Sequence, residues 1–156
     1  MAFRAEAVIQ ARMEKIHSIL SDTEAYTQWM PDCIVSRILT KDSQLHELAY
    51  SETSVPVANN RDAVVETRII LSSDTIIHLF KAVDRRDLVP EIKGKIRIRD
   101  MDGKWELRRN NGMTRVIYEV RADPGGNIPA WLANSAGRDV PHKTIIALMR
   151  MAAPEK

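Results

Sequence analysis

The hydrophobic pattern of the chain changes from mostly β to helical at the segment Asp123-Pro124-Gly125-Gly126. Before this segment, short runs rich in valine, isoleucine, threonine and aromatic residues alternate with polar turns, a pattern typical of β-strands. After it, apolar residues recur at threefold or fourfold spacing, which predicts one long amphipathic helix. These residues are Ile128, Leu132, Ala136, Val140, Thr144, Leu148 and Met151. The pattern predicts an α+β fold in which a C-terminal helix lies on a sheet.

The region before the change predicts about seven strands, and their short polar connections favour antiparallel pairing into a curved sheet. A break or bulge is expected at Asp102-Gly103, and Asn110-Asn111-Gly112 is a strong tight-turn signal. The predicted strands are residues 3–10, 33–40, 45–53, 62–71, 75–83, 95–109 and 114–122.

Two short helices are predicted between the first and second strands. Met13, Ile16 and Ile19 have helical spacing, and Ser21 or Asp22 can cap a second helix that ends before Pro31. In the C-terminal helix, Pro141 removes one hydrogen bond, so the sequence allows either one kinked helix or two shorter pieces.

The overall composition favours one domain over residues 1–156 and excludes several classes of function. A net charge of +2 argues against a protein dominated by nucleic-acid binding. Cys33 is the only cysteine, which rules out an internal disulfide and fits a reducing, cytoplasmic compartment. We expect neither a signal peptide nor a membrane-spanning segment, because no apolar run approaches the required length.

Three motifs, in this order and spacing, resemble those of the START lipid-transfer domains, which belong to the helix-grip (SRPBCC) superfamily. Each motif is weak alone, but together they extend over nearly the whole chain. The motifs are Trp29-Met30-Pro31, Arg61-Asp62, and Gly126-Asn127-Ile128-Pro129-Ala130-Trp131-Leu132.

The resemblance implies an apolar pocket between sheet and helix that binds a lipid or another apolar small molecule, for transfer or sensing. START domains usually carry a helix and two strands before the segment that resembles residues 3–10, so the chain looks N-terminally short. Its first strand would then be a sheet edge, and we expect that such an edge favours a homodimer through strand pairing.

The resemblance also suggests candidate ligand-binding residues. START pockets often hold an acid and an arginine, and Glu47 and Arg68 are the candidates, although Arg68 is one residue out of the expected register. Exposed cross-strand charges are the alternative interpretation of both. Tyr50 is a further polar candidate, and the pocket roof is assigned to Trp131, Leu132, Ala136, Val140 and Leu148, where lining and core packing cannot be separated from sequence.

Four basic residues alternate with apolar ones in the segment before the sixth strand. They are Lys93, Lys95, Arg97 and Arg99. Alternation places them on one strand face, which predicts either a solvated surface or a transient docking site for an anionic membrane.

The sequence contains no recognisable catalytic, metal-binding or cofactor-binding motif, and its four histidines are scattered. The alternative to ligand binding is an enzyme similar to the polyketide cyclases and aromatases of the same fold, with Tyr50, Glu47 or Arg68 as acid, base or oxyanion partner. A regulatory module that binds a partner by strand addition is the third interpretation.

Overall fold

A computed structural model of the chain describes residues 1–126 and 128–154, and in the C-terminal helix it leaves the side chains of residues 130–132, 135 and 136 undescribed. The strands are β1 (Ala2–Ile9), β2 (Cys33–Ser43), β3 (His46–Thr53), β4 (Arg61–Leu71), β5 (Thr75–Ala82), β6 (Ile96–Arg97), β7 (Asp100–Asn110) and β8 (Met113–Asp123). The helices are α1 (Met13–Ser21), a 3₁₀ helix (Thr23–Gln28) and α2 (Ala130–Ala152).

The strands form one curved sheet in the order β1-β8-β7-β5-β4-β3-β2, and its neighbouring strands are antiparallel. The described sheet has eight strands rather than seven, because the predicted strand at residues 95–109 is divided. Its first part is the two-residue strand β6, which pairs in parallel with Arg61 and Asp62 of β4. This α+β architecture with a closing C-terminal helix confirms the predicted fold class.

Strand β7 continues through Asp102-Gly103, where the sequence predicted a break or bulge. Gly103 lies opposite Phe80 of β5, and a Cβ atom at Gly103 would lie 2.6 Å from the Phe80 ring. The glycine therefore marks a close approach of an aromatic ring to the strand and not an interruption of the strand.

Helix α2 is continuous from Ala130 to Ala152 and contains Pro141. Of the two alternatives left by the sequence, the single helix is the one that forms. No helix among the described residues is both long enough and apolar enough to cross a membrane.

We call the face of the sheet that packs against α1 and α2 the inner face, and the opposite face the outer face. The main hydrophobic core lies on the inner face, where bulky side chains of β5, β7 and β8 pack against α1 and the C-terminal half of α2. Its members include Ile16, Leu20, Ile76, Trp105, Leu107, Val116, Tyr118, Ile145 and Leu148. A smaller cluster around Tyr50, Val64 and Val89 lies on the outer face.

Candidate functional site

Among the described residues, Glu47 places a partly buried carboxylate on the inner face. Glu47 lies on β3 directly opposite Thr67 of β4, and its Oε1 accepts a hydrogen bond from the hydroxyl of Thr23 in the 3₁₀ helix. Its Oε2 is buried and has no hydrogen-bond partner among the described residues. A buried acceptor without a partner costs about 1–3 kcal/mol, so this oxygen needs a donor from outside the described protein groups.

The phenol of Tyr26 lies close to this carboxylate. Burial raises the pKa of Tyr26, and the charge of Glu47 raises it further. Tyr26 donates its hydrogen bond to the backbone oxygen of Leu20. The phenol is therefore neutral and already donates its hydrogen bond. The Oε2 atom of Glu47 and the Nε1 atom of Trp29 are the buried side-chain atoms without a hydrogen-bond partner among the described residues.

Two histidines that looked scattered in the sequence meet beside Glu47. Nδ1 of His17 on α1 lies 2.9 Å from Nε2 of His78 on β5. Burial lowers the pKa of both imidazoles, and it lowers that of His78 to about 3. The pair is therefore neutral, with one ring donating to the other. No local sequence signal could have found it, because the two residues are 61 positions apart.

The small cavity between Glu47 and His78 cannot hold a lipid. Its volume is about 10 Å³, whereas ligand pockets are on the order of 300 to 1,000 Å³. Ser21 and Thr67 also line this cavity. This cavity alone is therefore too small for a lipid-sized ligand.

Small residues dominate the half of the inner face that lies away from α1. Ala49 of β3 and Ala63 of β4 are buried, yet neither belongs to a hydrophobic cluster formed by the described side chains. Strand alternation places Ala5 and Gly103 on the same face, and Phe3, Phe80 and Val120 lie there only partly buried. This half of the sheet thus combines small side chains with partly buried aromatic ones, and it adjoins the loop that leads into α2.

Arg61 holds that loop in place. Its side chain is buried and donates hydrogen bonds to the backbone oxygens of Pro124 and Gly125, at 3.1 and 2.6 Å, and to that of Asn59 at 2.6 Å. Gly125 and Gly126 both have positive φ, which allows the tight path before the helix. Arg61 thereby ties the beginning of β4 to the beginning of α2.

The next residue, Asp62, forms a second set of long-range contacts, on the outer face of the sheet. Its carboxylate binds Arg97 at 2.8 Å and accepts a hydrogen bond from the Tyr50 hydroxyl at 2.9 Å. Arg97 also donates to the backbone oxygens of Val89 and Pro90. This ion pair fixes the segment between β5 and β6 against the outer face of the sheet.

The structure corrects the placement of Tyr50 and Arg68, which were expected in the pocket. Both lie on the outer face, because they alternate with Glu47 and Thr67, whose side chains face inward. Tyr50 is buried beneath the segment that carries Val89, and Arg68 is exposed beside Glu66. The residue that shares the inner face with Glu47 is Thr67, one position before the expected arginine.

The roof candidates fall into three groups. Trp131, Leu132 and Ala136 lie on α2, but their side chains are outside the described part of the structure, as is Asn127 of the helix-start motif. Val140 is partly buried and its backbone oxygen accepts a hydrogen bond from Thr144. Leu148 is fully buried in the main core, so its side chain serves packing against α1.

The four basic membrane candidates do not form one exposed strand face, which corrects that expectation. Arg97 is buried in its ion pair with Asp62, Lys95 binds Glu52 at 2.5 Å, and Arg99 pairs with Glu91. Strand pairing ends at Arg97, so the alternation that would align the four does not continue. Lys93 is exposed and makes no ion pair with any residue in the described part of the chain.

A charged trough of about 760 Å³ crosses the outer face over β4, β5, β7, β8 and β1. Two rows of side chains line it, and its charged groups pair with one another, as Arg4 does with Glu119 and Lys81 with Glu66. Such a lining does not suit an apolar ligand. The described residues contain no group of three or more metal-ligating side chains that could hold a metal ion.

A curved antiparallel sheet closed by one long C-terminal helix is the architecture of the helix-grip class of proteins. The chain belongs to the START domain family, whose family model matches residues 1–145.

Two relatives are similar in sequence over most of their length. The Pseudomonas aeruginosa protein PA1579 is 33% identical over 158 residues, which cover 99% of this chain and 76% of the relative. A STAR-related lipid transfer protein fragment from Xanthomonas axonopodis is 34% identical, with a TM-score of 0.85 over 96% of this chain and 84% of that chain.

Two more distant structures share the fold. Human STARD10 has a TM-score of 0.86 at 15% identity, over 97% of this chain and 62% of that chain. The Zhui aromatase/cyclase from a Streptomyces species has a TM-score of 0.66 at 11% identity, over 97% of this chain and 93% of that chain.

Proposed function

We propose that this protein binds a lipid or another apolar small molecule between the inner face of the sheet and α2. The observation that carries the proposal is the Oε2 atom of Glu47, which is buried without a partner among the described residues. A ligand with an apolar body and one hydrogen-bond donor, such as a hydroxyl or an ammonium group, would satisfy this oxygen.

The space for the apolar body would lie over the small residues Ala49 and Ala63. Burial of apolar surface there is worth about 25 cal/mol per Å² and needs no covalent chemistry. START membership and the Xanthomonas relative, named a lipid transfer protein, support a role in transfer rather than in catalysis.

An aromatase/cyclase-like activity is the alternative. The likeness to the Streptomyces aromatase/cyclase concerns the fold only. A cyclase needs an acid and a base next to the substrate. Tyr50 and Arg68 face away from the inner face, so Glu47 is the remaining candidate of the three.

Native mass spectrometry of the purified protein tests the proposal. We expect an apolar small molecule to co-purify with the wild type and the Glu47→Leu variant to retain about tenfold less of it, because a hydrogen bond to a charged group is lost. The matched control is Glu119→Gln, which changes a half-exposed carboxylate on the outer face. Ligand-free wild-type protein that turns over a polyketide-like substrate would reverse the assignment.

A further inference from the structure

Glu47 lies at one end of a row of side chains that crosses the inner face of the sheet. Residues directly opposite each other on antiparallel strands share a face. The row consists of Glu47, Thr67, Phe80, Gly103, Val120 and Phe3. On one side of it lie Trp105 and Tyr118 of the main core, and on the other side lie Ala49 and Ala82. Under the proposed function, this row is the floor of the ligand space.

The floor leaves an open place next to Glu47. The ring of Phe80 leans over Gly103, because a Cβ atom at Gly103 would lie 2.6 Å from it. The ring thus extends towards β7 and away from β4, where Thr67 separates Phe80 from Glu47 in the row. Directly opposite residues have Cβ atoms about 4.5–5.5 Å apart. A compact polar group above Thr67 would therefore lie within reach of the Glu47 carboxylate.

The negative charge at this end of the row is not balanced within the described residues. Oε1 of Glu47 accepts the hydrogen bond of Thr23, while Oε2 is buried without a partner among the described residues. Burial lowers the pKa of both His17 and His78, so the neighbouring imidazoles supply no positive charge. Lys41 lies opposite Glu47 on β2, but its side chain is exposed to solvent and forms no ion pair with Glu47. A ligand group with a positive charge and a hydrogen-bond donor would balance the carboxylate.

An anionic group, in contrast, meets no free guanidinium on the inner face of the described strands. Each side-chain nitrogen of Arg61 already donates to a backbone oxygen. Arg109 pairs with Glu14 of α1 at the far end of β7. The START resemblance implied an arginine beside the acid, and the structure has Thr67 at that place. A phosphate or carboxylate head group would therefore face the Glu47 carboxylate with its repulsion uncompensated.

We propose that the ligand is an amphiphile that ends in a primary ammonium group, bears no phosphate, and binds Oε2 of Glu47 through that ammonium. The inference rests on the proposed function and narrows its ligand to an alkylammonium. An ammonium has three N–H donors, so one can bind Oε2 while another binds the Thr67 hydroxyl. A hydroxyl offers one uncharged donor, and a quaternary ammonium has no N–H to donate.

Isothermal titration calorimetry of the ligand-free protein at pH 7 tests the proposal. The probes share a decyl chain and are used below their critical micelle concentrations. They are decylamine, decan-1-ol, decanoic acid and decyltrimethylammonium. At this pH the amine is protonated and the acid is ionised. We expect decylamine to bind about tenfold more tightly than decan-1-ol, because a hydrogen bond between charged groups is about twice as strong as a neutral one. Decanoic acid should bind at least about tenfold more weakly than the alcohol.

A Glu47→Gln variant isolates the contribution of the charge. The amide oxygen still accepts a hydrogen bond, so the affinity for decan-1-ol should change by less than about twofold while that for decylamine falls about tenfold. A purely structural role of Glu47 would lower both affinities by the same factor. Glu119→Gln is the matched control, because it changes a half-exposed carboxylate on the outer face, and it should leave both affinities unchanged.

A Thr67→Arg variant tests the same charge argument in the opposite direction. It places a guanidinium directly opposite Glu47 on the inner face. The bulk of arginine weakens binding of every ligand, so the informative quantity is the ratio of the affinities for decanoic acid and decylamine. This ratio should rise at least about tenfold relative to the wild type.

The proposal is overturned if decylamine binds the wild type no more tightly than decan-1-ol, or if Glu47→Gln weakens both to the same extent. Tighter binding of decyltrimethylammonium than of decylamine would also overturn it, because that head group has no N–H for Oε2. Equal binding of the amine, the alcohol and the acid would overturn this inference and leave the proposed function intact. Failure of every decyl amphiphile to bind would contradict the proposed function itself.

Discussion

The imidazole rings of His17 and His78 are in contact, with Nδ1 of the first 2.9 Å from Nε2 of the second, and they join α1 to β5. Burial depresses the pKa of His78 from 6.5 to about 3. Between these pH values the unfolded chain binds a proton that the folded chain does not. The contribution of His78 to the free energy of unfolding is therefore fully present above about pH 6.5. It falls as the pH decreases, by up to about 1.4 kcal/mol per pH unit.

A His78→Leu variant should lose less stability between pH 7 and pH 4 than the wild type, as measured by urea denaturation at each pH. Carboxylates also contribute to the acid dependence. The informative quantity is therefore the difference between the two proteins in how the free energy of unfolding changes with pH. His142→Gln is the matched control, because His142 is exposed on α2. Parallel curves for His78→Leu and the wild type would contradict the prediction.

Replacement of Arg61 by glutamine should loosen the loop before α2. The variant loses charged hydrogen bonds to three backbone oxygens, so we expect the free energy of unfolding to fall by about 2–4 kcal/mol. Hydrogen exchange should accelerate in the first turns of α2 before it does so in α1. Arg68→Gln, an exposed arginine on the same strand, should change stability by less than about 0.5 kcal/mol.

The ion pair between Asp62 and Arg97 should show strong coupling in a double-mutant cycle. Asp62→Asn alone leaves the buried guanidinium without its carboxylate and should destabilise the fold by about 3–5 kcal/mol. Adding Arg97→Met removes the unpaired charge, while the amide oxygen introduced by Asp62→Asn can still accept a hydrogen bond from the Tyr50 hydroxyl. The double variant should recover about 2 kcal/mol relative to the sum of the single changes, measured by guanidinium denaturation. Additive effects would mean that the pair is not coupled.

Enlarging a small residue on the inner face should displace the ligand. Ala63→Leu adds apolar volume at a position outside the hydrophobic clusters of the described side chains, so the variant should fold with less ligand bound in native mass spectra. Val64→Leu is the comparison, because Val64 lies on the next position of β4 but packs on the outer face. If Ala63→Leu retained as much ligand as the wild type, the apolar part of the ligand would lie elsewhere.

The sequence predicted the fold well because period and turn signals are local. Alternation defined the long strands, and threefold or fourfold spacing defined α2. The two-residue strand β6 was missed, because a strand of that length has no period and its parallel partner Arg61 is distant in sequence.

The site was predicted less well, because alternation shows which residues share a face but not which face is inner. Glu47 and Tyr50 were grouped as pocket residues, although their spacing of three on one strand already places them on opposite faces. The contact of Glu47 with the 3₁₀ helix shows that its face is the inner one. The contact between His17 and His78 and the clamp made by Arg61 likewise depend on long-range packing.

Pro141 divides α2 into two halves with different surroundings. It cannot donate the hydrogen bond that would join it to residue 137, so bending the helix requires the least free energy at this point. The half after Pro141 is anchored by Ile145 and Leu148 in the main core, whereas Gly137 in the half before it lies beside the side chain of Met1. A change in the direction of α2 at Pro141 would therefore leave the packing of its second half in the main core undisturbed.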